Sequence, residues 1–307
     1  MKKHKDLLTL FEFSPDDIRS IIARARECKK NRLSNEQKIF ANKTGVLIFE
    51  KPSLRTRITF ETAIHELGGH ALTLTSDMVG LGKRESVEDV ARNLERLVHI
   101  IIARTFSHDT VVQLARYSSI PVVNALTDTF HPCQALAFGL TLDEHGAAGP
   151  GKKVVFVGDS NNVCNSIMVL CAKLGYDFTV ACPAKYEPAP AIIEKANEIA
   201  RKNGGALSVT NDPQSAVAGA CAIYTDVWTS MGQEREQEKR KKDFAAFQVN
   251  AALLSRAPSD VLVSHCLPAH REEEITSDVL DSPRSVAFDE AENRLHVQKA
   301  VIVHLFS

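Results

Sequence analysis

The sequence lacks three things: an excess of one charge, a long apolar run and closely spaced cysteines. Its 37 basic and 38 acidic residues leave a formal net charge of -1, whereas proteins that bind nucleic acids or membrane surfaces generally carry a basic excess. No stretch approaches the roughly 20 apolar residues of a membrane-spanning helix. The basic N-terminus runs into acidic residues, and the seven cysteines form no CxxC pair. We therefore expect no targeting signal, no disulfide framework and a location in the reduced cytoplasm.

The length of the chain and one glycine-rich stretch predict two domains. A chain of 307 residues exceeds the size at which a single hydrophobic core is usual. Gly146–Gly151 reads GAAGPG, a composition typical of a linker. We therefore predict a first domain over residues 1–148 and a second over 149–307. We also expect the C-terminal helix, from about residue 289 to 307, to pack back on the first domain.

Short apolar runs alternate with helical patterns along the chain. Strands are predicted at 45–50, 71–74, 99–103, 121–124, 153–158, 177–182, 221–225 and 260–265. Helices are predicted at 55–67, 86–97, 109–117, 132–145, 163–174, 189–202 and 289–304. The charge run Glu234–Asp243 is interpreted as a solvated helix face. The alternation predicts an α/β fold of two lobes, each a parallel sheet flanked by helices.

Ser53–Arg57 (SLRTR) is the most informative segment of the chain. It follows the apolar run Gly45–Phe49 and precedes a helical pattern. A helix N-terminus offers unpaired backbone N–H groups and a partial positive charge, so it attracts anions. Two arginines add planar guanidinium groups that match phosphate oxygens. This corner therefore predicts a site for a small phosphorylated or carboxylated molecule.

Further polar residues follow other predicted strands. Arg104, Asp159–Asn162, Asp226 and His265–Cys266 each come directly after an apolar run. Ligands of parallel α/β sheets gather at the carboxyl ends of the strands. Because these clusters come from both halves of the chain, we expect the active site to lie in the cleft between the two lobes.

Four motifs in this order resemble those of the aspartate/ornithine carbamoyltransferase family, most closely its ornithine-specific branch. They are Ser53–Arg57 (SLRTR), His131–Gln134 (HPCQ), Asp226–Gly232 (DVWTSMG) and His265–Ala269 (HCLPA). The resemblance covers nearly the whole chain. It implies transfer of a carbamoyl group from carbamoyl phosphate to the δ-amine of L-ornithine, giving L-citrulline and phosphate. It implies a step of arginine metabolism that needs no cofactor, and a homotrimer or a multimer of trimers.

The same resemblance implies which residues bind each substrate. For carbamoyl phosphate they are Ser53, Leu54, Arg55, Thr56, Arg57, Arg104, His131, Gln134, Cys266, Leu267 and Arg294. For ornithine they are Asn162, Asp226, Ser230 and Met231. The implied catalytic residues are Arg104, His131, Asp226 and Cys266. Carbonyl-facing donors such as Arg104 would stabilise the negative charge that develops during attack on the carbonyl.

The sequence departs from the family pattern at two positions. Leu54 replaces a threonine that is usual in the phosphate motif, so we expect the loss of a hydroxyl contact rather than of function. Gly80 stands where the family commonly has a polar residue that reaches a neighbouring subunit. Either Lys83 or Arg84 compensates for it, or the contact between subunits is weaker.

Four alternatives remain at this stage. One is a carbamoyltransferase for another amine, namely aspartate, an N-acylated ornithine or putrescine. A dinucleotide enzyme is disfavoured because the G-x-G-x-x-G spacing is absent after Val157–Gly158. A non-catalytic two-lobed anion-binding protein is disfavoured by the intact set of polar motifs. A metal site at His265, Cys266 and His270 has no fourth ligand at convincing spacing, so we expect no bound metal.

Overall fold

Two compact units make up the chain. The computed structural model describes residues 6–32, 38–82, 84–229 and 234–307. One unit comprises Met1–Leu140 together with Glu292–Ser307, and the other comprises Thr141–Ala291. Both divisions fall inside helices, whereas we placed the domain boundary after the first of these helices, in the glycine-rich stretch. In the described part of the chain, each helix is too short or too polar to cross a lipid bilayer.

The first unit holds a four-stranded parallel sheet with the strand order β2-β1-β3-β4. Its strands are β1 (Thr44–Phe49), β2 (His70–Thr75), β3 (Ile100–Arg104) and β4 (Val122–Leu126). Its helices up to the division are α1 (Pro15–Lys30), α2 (Leu54–Glu66), α3 (Ser76–Val79), α4 (Val87–Leu97), α5 (His108–Tyr117) and the start of α6 (Pro132–Glu144). The last helix of the chain, α13 (Ala287–Phe306), supplies the remainder of this unit from Glu292 onward, and its first turn belongs to the second unit.

The second unit holds a five-stranded parallel sheet with the strand order β7-β6-β5-β8-β9. Its strands are β5 (Lys153–Val157), β6 (Asp177–Ala181), β7 (Leu207–Thr210), β8 (Ala220–Thr225) and β9 (Leu262–His265). Its helices include α7 (Asn162–Leu174), α8 (Pro190–Lys202), α9 (Pro213–Ala216), α10 (Gln237–Phe244), α11 (Ala251–Leu254) and α12 (Ser277–Leu280). The α/β fold of two parallel sheets flanked by helices is thus confirmed.

The central strands are buried on both faces, as parallel sheets require. Every residue of β3 is buried, and so is every residue of β5 after Lys153. Helix α7 is buried from Val163 to Leu174, so it packs on all sides rather than along one stripe. This burial explains why these segments read as continuous apolar runs in the sequence.

Each sheet has one point at which the strand order reverses. In the first sheet the chain moves outward from β1 to β2 and then returns to β3 on the other side. In the second sheet it moves from β5 through β6 to β7 and then returns to β8. The helices that leave two such strands lie on opposite faces, which opens a crevice at their carboxyl ends. The expected ligand positions are therefore the ends of β1 and β3, and the ends of β5 and β8.

Two glycines with similar backbone angles give a test of the packing around α7. Gly175 ends α7 with a φ of 78°, and a Cβ atom there would lie 2.5 Å from the carbonyl oxygen of Asn203. Gly204 has a φ of 80°, and a Cβ atom there would have no atom within 4 Å. Both positions share the left-handed penalty of about 1–2 kcal/mol for alanine. We expect Gly175→Ala to lower the free energy of unfolding more than Gly204→Ala, because only Gly175→Ala adds a backbone clash. Denaturant titration checks this, and equal losses would contradict it.

Candidate active site

The corner predicted to bind an anion is built from the end of β1 and the start of α2. Ser53 caps α2, and its Oγ accepts a hydrogen bond of 3.3 Å from the backbone N–H of Thr56. The first turn of α2 contains no acidic residue that would compete with a bound anion. Arg55 is half-buried and Arg57 is exposed. The corner therefore combines a helix N-terminus with two cationic side chains, which is a suitable site for a phosphate group.

Leu54 lies at the first position of α2 with 70% of its side chain exposed. It therefore adds nothing to the core of the unit. Compared with the usual threonine, leucine at this position lacks one hydroxyl group. Because Leu54 is largely exposed, packing does not explain why the residue is leucine.

Arg57 and Glu61 form an exposed ion pair along α2. The Arg57 Nε donates to the Glu61 Oε1 over 2.9 Å, and the Thr73 hydroxyl on β2 donates to the same oxygen over 2.5 Å. The pair orients the guanidinium group but contributes little to stability, because exposed ion pairs are worth about 0–1 kcal/mol.

Arg294 reaches the same corner from the C-terminal helix α13. This buried arginine donates from Nη2 to the Oγ1 of Thr56 over 2.8 Å. The two residues are 238 positions apart in the sequence. A buried guanidinium group is costly unless it is hydrogen-bonded, so this contact ties α13 to the start of α2.

His131 is a neutral imidazole in a cationic environment. It is buried directly before α6, and burial lowers the pKa of its ring well below the ordinary value, with Arg294 and Arg104 lowering the pKa further. Gln134, also buried, donates its backbone N–H to the His131 carbonyl over 3.1 Å. The structure thus places His131, Arg104 and Arg294 close enough to interact electrostatically. A neutral imidazole among two arginines can donate a hydrogen bond to a carbonyl oxygen without adding charge.

Lys51 is a cationic residue of this region that our sequence analysis missed. It is buried at the end of β1, with its Nζ 4.5 Å from the centre of the Phe106 ring. Burial lowers the pKa of its ammonium group, and the nearby Arg104 lowers it further. The sequence did contain a signal for this residue: Lys51 directly follows the predicted strand 45–50, as Arg104 follows the predicted strand 99–103.

Gly80 has a structural reason to be glycine. It ends α3 with a φ of 59°, in the left-handed region that other residues rarely adopt. A Cβ atom at this position would also lie 2.9 Å from the Cβ of Arg84. Lys83, which we named as a compensating residue, lies outside the described residues.

In the second unit, Asp226 and Cys266 meet at the ends of β8 and β9. The Cys266 thiol donates to the Asp226 Oδ1 over 2.8 Å. The Asn161 side chain donates to Oδ2 over 2.7 Å, and the Val227 N–H donates to Oδ1 over 2.8 Å. These three donors hold the buried carboxylate in one orientation.

Asn161, the residue before the predicted ornithine-binding residue Asn162, contacts Asp226. The Asn161 Oδ1 also caps α7, accepting from the backbone N–H groups of Val163 and Cys164. Asn162 is the first residue of α7 and is half-buried. The Asn161–Asn162 pair directly after β5 was visible in the sequence, but the contact between Asn161 and Asp226 is visible only in the fold.

A buried histidine–glutamate pair supports the backbone beside Cys266. The His265 Nδ1 accepts the Leu267 N–H over 2.8 Å, and its Nε2 lies 2.9 Å from the Glu274 Oε1. Nδ1 therefore carries no proton, and the Nε2 proton points to the carboxylate. Leu267 has a φ of 54°, a left-handed conformation that costs about 1–3 kcal/mol for a residue other than glycine. His265 belongs to a motif that was visible in the sequence, but Glu274 was missed.

The interpretation of Glu234–Asp243 as a solvated helix face is wrong for one residue, Arg240. The segment is helical and largely exposed, but Arg240 is buried. Its Nη2 lies 2.5 Å from the Asp159 Oδ2, and its Nε donates to the Trp228 carbonyl over 2.5 Å. Burial raises the pKa of the Asp159 carboxyl to about 6, an effect that Arg240 opposes. Arg240 is therefore buried because it pairs with the buried carboxylate of Asp159, whereas most of the charge run is exposed.

The predicted ornithine-binding residues Ser230 and Met231 lie outside the described residues. Arg240 binds the carbonyl of Trp228, which precedes this segment, and belongs to α10, which follows it. This hydrogen bond therefore joins residues on either side of that segment.

The alternative metal site does not assemble as a set. His265 and Cys266 cluster with Asp226, whereas His270 clusters with Glu273 and Glu274. Both ring nitrogens of His265 already make hydrogen bonds. Because a histidine ligand needs a nitrogen lone pair directed at the metal, this histidine does not suit metal binding in the conformation described.

Comparisons with known proteins agree with the motifs. The carbamoyl-phosphate-binding domain of the aspartate/ornithine carbamoyltransferase family matches residues 5–144, and its aspartate/ornithine-binding domain matches residues 150–305. The chain is 49% identical to the ornithine carbamoyltransferase of Pyrococcus horikoshii over 304 residues, which cover 99% of this chain and 96% of that protein. It is 49% identical to the ornithine carbamoyltransferase of Bacillus subtilis over 298 residues, which cover 97% and 92%.

Solved structures give the same result. Ornithine carbamoyltransferase from Pyrococcus furiosus superimposes with a TM-score of 0.94 at 47% identity, covering 97% of this chain and 96% of that one. An acetylornithine transcarbamylase complexed with acetylcitrulline superimposes with a TM-score of 0.89 at 32% identity, covering 98% and 99%.

The neutral state of His131 predicts a pH dependence of stability. Its folded pKa lies well below the ordinary 6.5, so the unfolded chain takes up a proton first, and stability is lost as the pH falls through 6.5. From about pH 7.5 to about pH 5.5, the stability advantage of the wild type over His131→Asn should shrink by about 1 kcal/mol. Denaturant unfolding of both proteins at each pH measures this. A constant difference would show that folding does not change the pKa of His131, which would contradict the lowered pKa.

Proposed function

The chain belongs to the aspartate/ornithine carbamoyltransferase family, and we propose that it transfers the carbamoyl group of carbamoyl phosphate to the δ-amine of L-ornithine. The products are L-citrulline and phosphate. The observation that carries the proposal is the near-complete match, at 49% identity, to relatives named ornithine carbamoyltransferase. The cationic corner of the first unit and the carboxylate–thiol pair of the second supply side chains suited to the two substrates.

Carbamoyl phosphate binds to the first unit. Its phosphate group interacts with Ser53, Arg55, Thr56 and Arg57 and with the N-terminus of α2, which remain fixed as the phosphate leaves. Leu54 contributes its backbone N–H. This assignment is supported by the geometry of the corner, where a helix N-terminus without acidic residues meets two arginines.

The carbonyl end of carbamoyl phosphate interacts with Arg104, His131 and Gln134, and Arg294 reaches the carbamoyl group. Attack by the amine places negative charge on the carbonyl oxygen, and donors already aimed at it lower the barrier. One such donor is worth about 3–4 kcal/mol. The lowered pKa of His131 and its proximity to both arginines support this role.

Ornithine is recognised by residues of the second unit. Asp226 pairs with an ammonium group, Asn162, Ser230 and Met231 bind the amino-acid head, and Cys266 and Leu267 lie beside the reacting groups. The attacking amine must be neutral, which costs about 4–5 kcal/mol at pH 7 for an alkyl ammonium of pKa about 10.4. The fixed orientation of the Asp226 carboxylate beside the Cys266 thiol supports a role in accepting that proton.

The reaction belongs to arginine metabolism, and we place it in the cytoplasm. All seven cysteines are free thiols, and five of them are buried. Thiols without disulfide partners are typical of a reducing compartment.

We also propose that the chain self-associates, as a homotrimer or a multimer of trimers. Exposed apolar side chains concentrate on β2 and on α2 and α3, each of which packs against β2 in the first unit. They are Leu54, Ile58, Leu72 and Met78, which are 70%, 53%, 43% and 59% exposed. β2 is also the edge strand of its sheet. Contiguous exposed apolar side chains on an edge favour association, and a second copy of this chain is the occupant that we propose.

The Arg57→Ala variant tests the catalytic proposal. We expect citrulline formation from ornithine and carbamoyl phosphate to fall by about 100-fold or more, since removing an arginine that binds the phosphate in the transition state costs a few kcal/mol. Assays with aspartate, N-acetylornithine and putrescine in place of ornithine should give little product.

Arg92→Ala is the matched control, because Arg92 and Glu88 form an exposed i,i+4 ion pair like that of Arg57 and Glu61. It should leave the rate unchanged. Wild-type activity in Arg57→Ala would remove this residue from the site, and a preference for another amine would reassign the substrate.

Light scattering after size exclusion tests the association. The wild type should have a mass near three times the 33.8 kDa of one chain, or a multiple of that trimer. Ile58→Glu combined with Leu72→Glu should reduce the mass, because two charges would be buried in an apolar contact. Phe288→Glu is the control, since Phe288 is also exposed but lies in the second unit. An unchanged mass in the double variant would place the contact elsewhere.

A further inference from the structure

We propose that Glu290 is a positioning residue that joins the side chains of Tyr224 on β8 and Ser264 on β9 near the ends of these strands and thereby aligns Asp226 with Cys266. The proposal rests on the function proposed above. Glu290 lies in the first turn of α13 and is fully buried within the second unit. The sequence motifs assign it no role.

The carboxylate of Glu290 bridges two neighbouring strands. The Tyr224 hydroxyl of β8 donates to Oε1 over 2.8 Å, and the Ser264 hydroxyl of β9 donates to Oε2. Tyr224 and Ser264 are paired residues in the register of these strands. One carboxylate therefore bonds both sides of a single cross-strand pair.

The Asp226–Cys266 pair lies directly after the ends of β8 and β9, close enough to the bridge for both residues to raise the pKa of the Tyr224 hydroxyl. Side chains two positions apart on a strand point to the same face. Asp226 comes two residues after Tyr224, and Cys266 comes two residues after Ser264. Continued past the strand ends, this alternation makes the hydrogen bond from Cys266 to Asp226 the next side-chain contact after the bridge. Loss of the bridge would let the two strand ends shift relative to each other, which would change the geometry of that hydrogen bond.

The surroundings hold the bridge in place. The Tyr224 ring stacks on Phe156 of β5, with ring centres 5.7 Å apart and planes 15° apart. Burial raises the pKa of the Tyr224 hydroxyl well above its ordinary value, and Glu290 raises it further, so the hydroxyl stays protonated and remains a donor. A buried carboxylate requires such donors, because an unpaired buried charge is strongly destabilising.

Glu290→Gln, Tyr224→Phe and Ser264→Ala each weaken the bridge without emptying the core. For each variant we expect kcat/KM for ornithine to fall about tenfold, while the KM for carbamoyl phosphate stays within about twofold. Combining Glu290→Gln with Tyr224→Phe should cost less than the sum of the two single changes, because both remove the same contact.

The alkylation rate of Cys266 by iodoacetamide gives a readout that does not depend on activity. Release of the thiol from Asp226 should speed alkylation about threefold or more in all three variants. Cys221, the other half-buried cysteine, serves as the internal reference and should react at the wild-type rate.

Ser208→Ala is the matched control for Ser264→Ala. Ser208 also hydrogen-bonds across two strands, to Thr179 over 2.9 Å, but it lies between β6 and β7. It should leave both the kinetics and the alkylation of Cys266 unchanged, and an equal effect of Ser208→Ala would overturn the proposal.

The proposal is also overturned if folded variants keep the wild-type kcat/KM for ornithine and the wild-type alkylation rate of Cys266. A parallel rise in the KM for carbamoyl phosphate would indicate a general structural role and would overturn it too. If Glu290→Gln does not fold, Tyr224→Phe and Ser264→Ala decide. A wild type that forms no citrulline refutes the proposed function, whereas the alkylation rates still test the bridge.

Discussion

Parallel strands all end at one edge of their sheet, a crevice opens at that edge where the strand order reverses, and both units of this chain are built on that constraint. The carbonyl ends of β1 and β3, and of β5 and β8, flank the two reversal points. The helices that follow β1 and β5 direct their N-terminal N–H groups to the same edge. Short polar side chains satisfy part of these groups: Ser53 caps α2 and Asn161 caps α7. What remains is a pair of polar crevices on rigid supports, suited to hold charged substrates.

Buried charged side chains fix the positions of the helices and strands around these crevices. Arg294 is bonded to Thr56, Arg240 to Asp159, and Glu290 to two hydroxyls. Each of these side chains would destabilise the fold if it were left unpaired, since burying an isolated charge costs several kcal/mol. Each pair therefore restricts the position of its elements, and the benefit is orientation more than stability. His131 avoids the cost of a buried charge in another way: burial and the nearby Arg294 oppose its protonation, so its ring stays neutral.

The elements predicted from sequence follow the strength of the local signal. Buried strands such as β3 and β5 read as continuous apolar runs and were found, whereas β7 (LSVT) is short and half-exposed and was missed. The start of α2 at Ser53 was readable because a hydroxyl cap precedes a helical pattern. Asn161, Glu274 and Arg240 were not identified as site residues. Their importance comes from contacts with residues 65, 9 and 81 positions away in the sequence, which no local pattern records.

The sequence by itself determined the α/β class, the helix and strand order, and the residue types at the ends of the strands. These depend on periodicity and capping, which act over a few residues. Only the tertiary structure decided which of those residues meet: Arg294 with Thr56, Cys266 with Asp226, and Glu290 with Tyr224 and Ser264. The physical reason is that hydrogen bonds and desolvation depend on distances of a few ångströms, and those distances are set by the packing of whole strands and helices rather than by neighbours in the chain.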